Sequence, residues 1–93
     1  MSSNAYRTAI IQLIAQLRAR GQSGQYILYQ VMPDELNDPT LISWRAYSTR
    51  NHADVVMISA GLSSIDEPVP EGELLLPLGA VVAQLKRLYG VTS

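Results

Sequence analysis

Apolar positions recur along this chain in two rhythms, one helical and one extended. From residue 4 to 20, Tyr6, Ile10, Leu13, Ile14 and Leu17 fall on one helical stripe. Arg7, Gln12, Gln16, Arg18 and Arg20 cover the other faces. Ser3 or Asn4 can cap the start, Arg18 and Arg20 suit the negative end of the helix dipole, and Gly21 ends the run. A connector, Gly21-Gln22-Ser23-Gly24-Gln25, leads to Tyr26-Ile27-Leu28-Tyr29-Gln30-Val31. That stretch is aromatic and β-branched and predicts a strand, stopped by Pro33 and Asp34.

Asp38-Pro39-Thr40 predicts a helix start, with Asp38 as the cap and Pro39 where a missing N–H does no harm. The helix carries Leu41, Ile42, Trp44, Arg45 and Tyr47, then loosens at Ser48-Thr49. Asn51 predicts a second cap, with Asp54 in the first turn, Val55 to Ala60 as the body and Gly61 as the stop. Leu41 to Ser59 also admits a β-hairpin, because Ile42, Trp44 and Ala46 alternate; the caps and Gly61 favour two helices. Residues 62–72 predict a loop, and Gly72-Glu73-Leu74-Leu75-Leu76-Pro77 a second strand. A last helix follows over 78–90, with Leu78, Val81, Val82, Leu85, Leu88 and Tyr89 as its stripe, Lys86 and Arg87 near its end, and Gly90 as its stop. The class is α+β.

With 93 residues and 47% hydrophobic content, the chain has room for one domain, 1–93, with a small core. It has no cysteine, which excludes disulfides and thiolate metal sites. Net charge is −1, and the basic residues are dispersed rather than gathered in a stripe, which argues against nucleic acid. No apolar run has the length of a membrane span. The opening MSSNAYRTAI lacks the pattern of a secretory signal, so a cytoplasmic start is expected.

Enzyme chemistry finds little support. His52 is a single histidine, expected on an exposed first helical turn. A serine nucleophile would need a base and an oxyanion hole. Asp34 and Glu35 are adjacent, as are Asp66 and Glu67, with Glu71 and Glu73 close by; for acidic loop residues, solvated carboxylates are the expectation. A glycosidase pair must face across a cleft at about 5–9.5 Å, and nothing in the spacing implies that. Gly21 and Gly24 lack the phosphate-loop spacing and follow a helix. The reading is a non-enzyme without cofactor or metal.

Residues 26–77 run strand, helix, helix, strand, and their pattern resembles the LysM module. The resemblance lies in Tyr29-Gln30-Val31, in Leu41-Ile42-Ser43-Trp44-Arg45-Ala46-Tyr47-Ser48, in Val55-Val56-Met57-Ile58-Ser59-Ala60-Gly61-Leu62, and best in Pro68-Val69-Pro70-Glu71-Gly72-Glu73-Leu74-Leu75-Leu76-Pro77. Ser48 stands where the family usually has glycine, Ala60 where it has asparagine, and Glu35-Leu36-Asn37-Asp38 is an insertion. The resemblance implies a β-α-α-β core, here flanked by helices at 4–20 and 78–90.

LysM-like modules either bind glycans containing N-acetylglucosamine or act as structural proteins of bacteriophage tails and baseplates. A short, single, signal-free chain fits the second trade. The expectation is therefore a virion protein, made in a host cytoplasm, that joins neighbouring tail or baseplate subunits as part of a homo-oligomer. Tyr6, Ile10, Trp44, Arg45, Leu85 and Tyr89 are its candidate contacts, aromatics and arginine being common interface anchors. The alternative is peptidoglycan binding, for which the resemblance implies a groove between Pro33-Asp34-Glu35 and Gly61-Leu62-Ser63-Ser64. A third reading, a cytoplasmic regulator or toxin–antitoxin partner, rests on small size and exposed helices alone.

Overall fold

Strong local signals set most of the elements. The computed structural model describes residues 3–20, 26–63 and 66–91. Gly21 and the connector after it lie outside them.

Helix α1, Ser3–Arg20, buries Tyr6, Ile10 and Ile14 at four-residue spacing. Strands β1, Tyr26–Val31, and β2, Gly72–Pro77, pair antiparallel, with Leu28 opposite Leu75 and Tyr26 opposite Pro77. A short 3₁₀ turn, Pro33–Glu35, follows β1. Helix α2, Pro39–Tyr47, starts where Asp38 Oδ1 accepts the Leu41 N–H at 3.2 Å. It ends at Ser48, whose φ of 61° lies in the left-handed region that favours glycine.

Helix α3, Ala53–Ser59, is entered through a second 3₁₀ turn, Arg50–His52. Here the expected Asn51 cap is corrected. Thr49 is extended, with φ −152°, and its hydroxyl accepts the Asn51 N–H at 3.3 Å, so Asn51 already lies inside the turn. Residues 41–59 form two helices joined by a bend and a 3₁₀ turn, not a hairpin. Gly61 stops α3 with φ 77°, its N–H bonding to the Ile58 carbonyl while the Leu62 N–H reaches Met57. Helix α4, Gly79–Leu88, stops the same way: Gly90 has φ 71° and the Val91 N–H bonds to the Lys86 carbonyl.

Two apolar clusters result. The first gathers Val31, Ile42, Val56, Leu62, Val69, Leu74 and Leu76 from the strands, α2, α3 and the loop before β2. The second gathers Tyr6, Ile10, Ile14, Val55, Ile58 and Val82 from α1, α3 and α4. Helix α3 is the wall between them, with Val56 on one side and Val55 and Ile58 on the other. Strand alternation divides β2 similarly: Leu74 and Leu76 enter the first cluster, while Leu75 packs against the second. The described residues thus form an α+β fold of four α-helices and one two-stranded antiparallel sheet.

Candidate interaction surface

The turn after β1 is fixed by a buried carboxylate. Glu35 Oε1 accepts the Met32 N–H at 2.7 Å, while Oε2 accepts the Tyr29 hydroxyl and lies 2.8 Å from Arg45 Nη1. Arg45 also grips Asp34, Nη2 to Oδ2, at 3.1 Å. Burial alone would push the Glu35 carboxyl up, but the Tyr29 hydroxyl, the Met32 N–H and the guanidinium outweigh it and hold the group below its ordinary range. The Tyr29 hydroxyl is pushed up to about 12 by burial and by that same carboxylate. Arg45 holds the Asp34 carboxyl low as well. A carboxylate kept ionised and bonded at both oxygens fastens the turn to α2.

This arrangement corrects part of the glycan-groove expectation. Glu35 is buried with its oxygens engaged, and Leu62 is buried in the first cluster, so neither side chain lines an open groove. Pro33, Asp34, Gly61 and Ser63 are exposed. The Ser63 N–H is taken by Glu67 Oε1 at 2.9 Å, and Ser64 lies outside the described residues. The segments around these positions are linked where the Val69 N–H meets the Leu36 carbonyl at 2.6 Å.

The expected contact residues divide. Tyr6 and Ile10 are buried within the chain, because four-residue spacing turns both toward α3; neither is a surface contact. Leu85 and Tyr89 are half-buried beside that cluster, the Tyr89 ring edge-on to Tyr6 at 6.4 Å. Arg45 is tied to two acids. Trp44 alone of the six offers a large apolar surface, at 52% exposure. Leu28, Met32, Ile11 and Leu88 are exposed too. Leu88 was expected in the α4 stripe, but six apolar positions make that stripe wider than the contact, and Leu88 falls off its margin.

Local pattern also missed a buried polar network. Lys86, expected near the end of the last helix, is there but buried, with Nζ donating to the Asn51 carbonyl and lying 3.2 Å from Asp54 Oδ1. The Tyr6 hydroxyl donates to Asp54 Oδ2 at 2.9 Å. Three elements distant in sequence therefore meet on Asp54. His52 is half-buried rather than exposed, its ring edge-on to Tyr47 at 5.1 Å. Burial and the nearby Lys86 charge lower its basicity.

Open grooves also lie on the surface of the described residues. One, about 290 Å³, lies between α1 and α3 and is lined by Arg7, Ile11, Ile14, Arg18, Ile58 and Ser59, among others. Another, about 510 Å³, runs along α4 past Val81, Gln84, Leu85 and Leu88. No helix among the described residues is long and apolar enough to cross a membrane. No protein-family model, curated protein or solved structure matches the chain.

Proposed function

We propose that this chain is a structural assembly protein of a phage-type virion tail or baseplate. It joins neighbouring subunits through a LysM-like middle unit, residues 26–77, and the helices on either side. The supporting observation is the spread of exposed large apolar side chains over α1, β1, α2 and α4, outside both clusters: Ile11, Leu28, Trp44 and Leu88. Ile11 and Leu88 each line an open groove, the kind of apolar surface that a neighbour can cover. The strand-helix-helix-strand order with antiparallel strands supports the LysM-like reading. Against the peptidoglycan alternative, two of the seven residues offered for the groove, Glu35 and Leu62, have buried side chains.

The test is co-expression with tail-tube, sheath and baseplate proteins of a phage-type particle. The expected result is co-purification with one of them, weakened by Trp44→Ala. A chain that captures no tail component, yet shows NMR shifts at 33–36 and 61–63 on titration with chitin oligomers, would replace this reading with the glycan one.

A further inference from the structure

Helices pack on both strands, α1 and α3 on β2 and α2 on β1, but the two edge strands differ in composition: β2 carries Glu73 and ends on Pro77. On the β1 side, no described residue outside β2 bonds to the strand's backbone. In an antiparallel pair the N–H and C=O groups alternate in direction, so about half of those on β1 face away from β2. An edge of this kind is a template for another strand, and proteins commonly blunt it with charge, proline or a bulge. Tyr26-Ile27-Leu28-Tyr29-Gln30-Val31 has neither charge nor proline, and its register with β2 runs unbroken. At its middle stands Leu28, 57% exposed.

We infer that β1 is a self-pairing edge, and that its occupant is a second copy of this chain. Side-by-side antiparallel pairing about a twofold axis normal to the sheet keeps both copies' helices on the same faces. It requires facing residues of the same alternation parity. Centred on Leu28, the pairing sets Leu28 opposite Leu28, Ile27 opposite Tyr29, and Tyr26 opposite Gln30. No charge meets a like charge. Because Leu28 already faces Leu75 within the chain, the face of the resulting four-stranded sheet that is turned to the second clusters carries an unbroken row: Leu75, Leu28, Leu28, Leu75. The contact closes on itself as a dimer and leaves α4 and the α1/α3 groove free for other partners. It rests on the assembly reading for its purpose, since a free edge is a hazard unless something occupies it.

The chain has no cysteine, so Leu28→Cys introduces a single thiol. Directly facing residues in an antiparallel pair have Cα atoms about 4.5–5.5 Å apart, within the span a disulfide bridges. The expected result is a covalent dimer of Leu28→Cys under mild oxidation and none with Ile11→Cys or Leu88→Cys, which are also exposed. By sedimentation equilibrium the unmodified chain is a dimer, and Leu28→Lys loses it with circular dichroism unchanged. The inference is overturned by an unmodified chain that stays monomeric at high micromolar concentration, or by a dimer that survives Leu28→Lys and cross-links instead through position 11 or 88. A different protein's strand on this edge would show as a Leu28-dependent heterocomplex from a monomeric chain, and would also overturn it. The two proposals fail separately: a monomer that still captures a tail protein removes only the edge pairing, and a Leu28-linked dimer that captures none removes only the tail reading.

Discussion

The two apolar clusters are built from different parts of the chain. The first draws on residues 31–76, and its hydrogen-bonded carboxylate, Glu35, sits in the turn next to β1. The second brings α1 to α4, from opposite ends of the described chain, onto α3. Alongside it runs the Tyr6–Asp54–Lys86 network, which ties all three helices together. The first cluster is closed by strand pairing and near-sequence contacts. The second depends on the helices at the two ends of the described chain docking on α3, and terminal elements open more readily than a paired core. The ends should therefore come apart before the middle does.

The hardest test of that difference is a truncation in each cluster. Ile42→Ala and Ile10→Ala each empty a fully buried site, and each is expected to cost about 2–5 kcal/mol in urea unfolding. Hydrogen exchange separates them: Ile10→Ala should strip protection from α1 and α4 while β1 and β2 stay slow, whereas Ile42→Ala should lower protection everywhere. Equal loss throughout in both variants would make the clusters one cooperative unit. Lys86→Met comes next. It leaves the Asn51 carbonyl and Asp54 without their cation, an expected loss of about 1.5–3 kcal/mol by urea unfolding, again concentrated in the second cluster.

Acid should reach the two regions at different pH. The Glu35 carboxyl is held below its ordinary value of 4.5 in the folded chain, so its contribution is present above that pH and is lost as pH falls through the folded value. His52 is held below its ordinary 6.5, so its neutral form favours folding above that pH, and stability declines as pH drops below it. Urea midpoints followed from pH 8 downward should thus begin to fall with His52 and steepen with Glu35. Glu35→Gln should remove the steeper part, and His52→Gln the earlier one. The smallest effect is expected at Ser48. Replacing it with glycine relieves a left-handed backbone and should raise stability by up to about 1 kcal/mol in thermal melts.

Much of this fold was legible because its boundaries have local causes. Both strands fall where aromatic, β-branched or leucine runs meet Pro33 and Pro77, and Asp38, Gly61 and Gly90 do the capping their chemistry implies. The surface was less legible. Parity along β1 leaves one apolar residue of Ile27-Leu28-Tyr29 facing outward, yet the pattern does not say which face is covered. Nothing around Lys86 in the sequence signals its burial, because its partners, Asn51 and Asp54, lie more than thirty positions away. Glu35 looked like a loop acid because the donors that satisfy it assemble only after β1 and α2 pack. Lys86 depends on partners distant in sequence and Glu35 on donors from β1, the turn and α2, which periodicity cannot register.

The Tyr6–Tyr89 ring contact joins the opening turn of α1 to the closing turn of α4. A donor attached at Asn4 and an acceptor at Arg87, exposed positions next to those two rings in sequence, would therefore report high transfer efficiency in the native fold. The same pair would dim as soon as those helices part, giving a single-molecule readout of the second cluster while the sheet stays intact.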